Sequence, residues 1–112
     1  MTITPISPQP LPVQHVEEWV CVSGHPLLRQ PIVVALRSAE SSDAPGQVAA
    51  RVPGIAAHGI GAGTEAAVED LLGSMREARD ELRRDVAAGM DLVQWLGALL
   101  AFTQAVLVET VP

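Results

Sequence analysis

The stretch "RVPGIAAHGIGAGTEAAVEDLL", residues 51–72, decides how the chain is read. A β-like run closes on Pro53-Gly54, glycines recur at 59, 61 and 63, and a helical pattern begins at Thr64. Glycine allows a sharp change of backbone direction. The segment therefore predicts a brief strand around His58 and Ile60, a tight turn, and a helix capped by Thr64. A phosphate-cradling loop fits poorly. The glycine spacing is not G-x-G-x-x-G, no Walker lysine follows, and no long βαβ unit carries an acid for ribose.

Towards the C-terminus, Val68, Leu71, Leu72, Met75, Ala78, Leu82 and Val86 recur at helical spacing. They predict an amphipathic helix over 64–86 that covers one face of a sheet. Its other face carries acids and arginines, with Asp80 and Arg84 spaced for an i,i+4 pair. After Gly89 a second helix is expected over 91–108, with no charge from Leu92 to Val108. Acidic flanks, Gln94, Thr103, Gln104 and the lack of basic anchors argue against a membrane span. A helix that is apolar nearly all round needs burial from several sides. The expectation is a homo-oligomer contact through Leu92, Trp95, Leu96, Leu99 and Phe102.

Towards the N-terminus, "QVAARV" (47–52), "PIVVALRS" (31–38) and "EEWVCV" (17–22) alternate as strands do. "AESSDAPG" (39–46) has turn chemistry, so 31–38 and 47–52 form an antiparallel hairpin. Residues 1–14 hold prolines at 5, 8, 10 and 12 and read as an extended arm, either a tail or a strap over a neighbouring subunit. The predicted fold is one α+β domain over 15–112. It is an antiparallel sheet of three to four strands with one amphipathic helix on a face and a second, apolar helix.

Net charge is −6 and all seven basic residues are arginine, which disfavours nucleic acid as a partner. Arg76, Arg79, Arg83 and Arg84 are interleaved with acids and read as a solvated face. One cysteine excludes an internal disulfide framework. No basic stretch followed by an apolar run opens the chain, so a cytoplasmic location is expected. Cys21 and His25, joined by His58 or His15, are too few and too scattered for a zinc site, which needs three or four protein ligands. As a nucleophile pair they are equally unspecific. Seven of the thirteen acids fall on the first helix. The strands carry almost none, so converging carboxylates for metal-assisted chemistry are not expected. This reading gives no catalytic residue, no metal and no cofactor.

Residues 31–82 resemble the N-terminal domain of the HicB family of type II antitoxins. The likeness rests on "PIVVALRS", on "GQVAARVPGI" closing in a Pro-Gly turn, and on "HGIGAGTEAAVEDLLGSMREARDEL". Gly61-Ala62-Gly63 takes the place of the family's Gly-Asp-Thr turn, which moves the expected cap to Thr64, and Ala67 fills the helix alanine that packs on the sheet. The resemblance implies a partial ribonuclease H-like fold without catalytic acids. It also implies a non-enzymatic protein that binds a small basic toxin, with Glu69, Glu77, Asp80 and Glu81 as contact candidates. The family's operator-binding module has no counterpart after residue 90. The alternative is a scaffolding homo-oligomer of the same fold without a toxin partner.

Overall fold

Alternating Val, Ile and Ala residues form the strands of a sheet that the described residues cover on one side only. A computed structural model describes residues 1–6, 17–39 and 47–109. The strands are β1 (Thr2–Pro5), β2 (Glu17–Ser23), β3 (Ile32–Ala39), β4 (Gln47–Arg51) and β5 (His58–Gly61). They pair antiparallel in the order β1-β2-β3-β4-β5. Two helices follow, α1 (Thr64–Ala87) and α2 (Gln94–Val106).

The α+β class is as expected, with five strands where three to four were predicted. The added strand, β1, comes from the proline-rich arm. Thr2–Pro5 pair with Val20–Ser23 of the same chain. Ile6 donates its N–H to the Trp19 carbonyl at 3.1 Å. The alternation that turns Ile6, Thr4 and Thr2 towards β2 turns Pro5 outward, where its missing N–H leaves no ladder bond unmade. The rest of the arm and the 39–46 connection fall largely outside the described residues, as does His15.

Val20, Val22, Ile32, Val34, Leu36 and Ala50 point to the covered face and are buried. Ala67, Val68, Leu71, Leu72, Met75 and Leu82 of α1 meet them in one cluster. Each fully buried Val or Leu contributes roughly 1.5–3 kcal/mol. The glycine-rich stretch does more than turn. A Cβ on Gly59 would lie 2.3 Å from the Leu71 nitrogen and 2.5 Å from the Ala67 carbonyl. One on Gly61 would lie 2.5 Å from the Ala67 nitrogen. Missing side chains thus let the backbone of α1 rest directly on β5.

α1 starts without a side-chain cap: Gly63 is the N-cap and Thr64 is already helical. Extended backbone at Gly63 fills the capping place one residue earlier than expected. α2 is shorter than 91–108 and lies beside α1, with Leu99, Val106 and Leu107 in the common core. Its exit is stitched to the β2–β3 connection. Leu28 and Leu107 form a β-bridge, Arg29 N–H donates to the Val106 carbonyl, and Val108 N–H donates to that of Leu27.

Candidate functional site

His25 follows β2 and is buried beneath α1, where it pairs with Glu69. The Leu27 N–H donates to its Nδ1 at 2.9 Å. That bond makes Nδ1 the acceptor, so Nε2 carries the proton directed at the Glu69 carboxylate. The pair ties the loop after β2 to α1. Cys21 is on the uncovered face of the sheet, with Thr4 and Val33 as its register partners. His58 is exposed and is registered with Arg51. Cys21, His25 and His58 therefore do not converge. Among the described residues, no group of three or more His, Cys, Asp or Glu could hold a metal ion.

Two of the four clustered arginines are not a solvated face. Arg79 is only 1% exposed, and its Nη1 donates to the Val108 carbonyl at 2.9 Å. Arg83 donates from Nη1 and Nη2 to the two carboxylate oxygens of Glu109 at 2.9 and 2.7 Å, and from Nε to Gln104 at 3.1 Å. Arg83 holds the Glu109 carboxyl down at about 2, with smaller help from Arg79 and Arg29. The guanidinium of Arg83 is in turn pushed up by Glu109. These arginines bind the segment after α2 to α1. Asp80 takes a weak bond from Arg79 Nε at 3.3 Å in place of the expected pair with Arg84.

The four helix acids proposed as contacts separate. Glu69 is committed to His25, whereas Glu77, Asp80 and Glu81 are exposed on α1. Asp70, which the sequence did not single out, accepts the Ile60 N–H at 2.9 Å and so satisfies one donor on the free edge of β5.

The apolar contact candidates on α2 separate too. Leu99 is buried in the chain's own core, and Leu92, Leu96 and Phe102 pack against that core. Only Trp95 stands out, at 58% exposed. Within the chain, α1 and the loop before β3 each bury part of α2. Near Trp95, Val86, Met90 and Val93 are also exposed. Its spacing puts Val86 in the core stripe, but it lies exposed in the last turn of α1. These four side chains fall within ten residues at the end where α1 passes into α2. Glu81, Asp85 and Asp91 lie in the same segment. Arg83, bound to Glu109, and the exposed Arg84 lie there as well.

No helix among the described residues is long and apolar enough to cross a membrane. No protein-family model, curated protein or solved structure matches the chain.

Proposed function

We propose that the chain is a non-enzymatic, HicB-like binding protein that captures a small basic protein at the α1–α2 end. The observation that carries this reading is the exposed set Val86, Met90, Val93 and Trp95, in a segment where Glu81, Asp85 and Asp91 outnumber Arg84, Arg83 being bound to Glu109. Large apolar side chains, tryptophan above all, are anchors of protein interfaces. The surplus of acids in that segment and the net charge of −6 favour a basic partner and raise the rate of encounter. The order β3, β4, β5, α1 is also the order of strands, glycine turn and helix on which the HicB resemblance rests.

The test is capture from the native host with the full chain, followed by identification and purification of the retained protein. Titration of that protein should show binding that weakens with salt, and Trp95→Arg should weaken it by 10-fold or more, about 1.4 kcal/mol. A retained protein that is acidic, or that binds Trp95→Arg as tightly as the parent, refutes the proposal.

A further inference from the structure

Among the described residues, the remaining exposed large apolar side chains other than Met1 gather elsewhere. Ile6, Trp19, Val33 and Ile60 are all 40–51% exposed and all lie on the uncovered face of the sheet. Asp70 occupies the Ile60 N–H on the edge of β5, and Pro5 offers no N–H on the edge of β1. The face presents these side chains as a broader surface than either edge.

Its register has a particular symmetry. Glu17 on β2 lies beside Arg37 on β3, Trp19 beside Ala35, and Cys21 beside Val33. Glu17 also reaches across β3 to Arg51, accepting its Nε and Nη2 at 2.9 and 2.8 Å. A two-fold axis parallel to the strands, midway between β2 and β3, exchanges these two strands between facing copies. Each Glu17 then faces the other copy's Arg37. Each Trp19 faces Ala35, which is 1% exposed and forms the low ground of the face. Each Cys21 faces Val33. Opposite charges and large-against-small side chains coincide in consecutive rows, and every match occurs twice. Aligned packing of two sheets about 10 Å apart is the geometry that uses such rows.

We infer that the uncovered sheet face is a homodimer interface in which β2 and β3 of one copy lie over β3 and β2 of the second. The surface is distinct from the α1–α2 end and leaves Trp95 free. The inference does not depend on the partner proposed above. It also gives the N-terminal strands, which lie outside the HicB-like segment, a role in assembly.

The lone cysteine supplies a direct probe. Across the proposed interface the two Cys21 Cα atoms are about 11 Å apart, from strand spacing and sheet separation together. That is too far for a disulfide but within reach of a short bismaleimide. The full chain is expected to sediment as a dimer at micromolar concentration and to cross-link through Cys21. Trp19→Glu and Arg37→Glu should each sediment as monomers with unchanged circular dichroism, losing the cross-link. The triple variant Glu17→Arg, Arg37→Glu, Arg51→Glu reverses both the internal and the intermolecular pairs and should restore the dimer. Monomeric parent protein overturns the inference. So does a dimer that lacks the Cys21 cross-link, or one that survives Trp19→Glu and dissociates with Trp95→Glu.

Discussion

Replacing Gly59 by alanine tests whether β5 and α1 are held in backbone contact. The added Cβ would meet the Leu71 nitrogen at 2.3 Å, the Ala67 carbonyl at 2.5 Å and the Leu71 Cα at 2.6 Å. All three are helix backbone atoms, so no side chain can rotate out of the way. Restoring ordinary contact requires β5 and α1 to separate by about 1 Å, which loosens a close-packed core. Overpacking of this kind costs about 1–3 kcal/mol. The same movement strains the Asp70–Ile60 bond, worth about 1 kcal/mol net. A loss of about 2–4 kcal/mol is expected from a total stability on the order of 5–15 kcal/mol. Urea unfolding measures it as a lower midpoint, and thermal unfolding should fall by roughly 10–20 °C. Gly63→Ala is the internal control. Its backbone is extended and nothing lies within 4 Å of an added Cβ. That variant gives up only glycine's advantage over alanine as an N-cap and should lose no more than about 1 kcal/mol. If Gly59→Ala is as stable as Gly63→Ala, the close approach of α1 to β5 is wrong.

Other expectations follow from the helix surface and the arginine clamp. Gly73 in α1 has nothing within 4 Å of an added Cβ, so Gly73→Ala should raise stability by roughly 0.5–1 kcal/mol, read as a higher urea midpoint. Arg79→Leu leaves the Val108 carbonyl without that donor; a loss of about 1–3 kcal/mol is expected in the same assay. Glu109 has a folded pKa of about 2 against an ordinary 4.5. A lowered carboxylate pKa gives stability that is present above the ordinary value and is lost as pH falls through the folded one. Glu109→Gln should therefore lower the thermal midpoint at pH 7, and the difference should vanish by about pH 2. Equal differences at both pH values would sink that assignment.

Much of the layout was legible because short-range periodicity reports local structure directly. Alternation identified β2, β3 and β4, and the 3.6-residue stripe identified α1 from Val68 to Leu82. β1 was missed because four prolines in the first twelve residues mark extended backbone without saying what it pairs with. The buried state of Arg79 was also invisible, since its neighbours in sequence are charged and its carbonyl partner is 29 residues away. The same limit applies to the surfaces. Val86 keeps the helical spacing of a core residue and is exposed because α1 outruns the sheet.

By itself the sequence determined the α+β class, the positions of most elements, and the pairing of β3 with β4, since these depend on neighbours a few residues apart. It also held the glycines at 59 and 61, but as a turn signal. Only the tertiary structure decided that they seat a helix, that His25 meets Glu69, and that Leu99 is core while Trp95 is surface. Those outcomes depend on which distant segments pack together, and a hydrophobic pattern states that a side chain must be covered without naming what covers it.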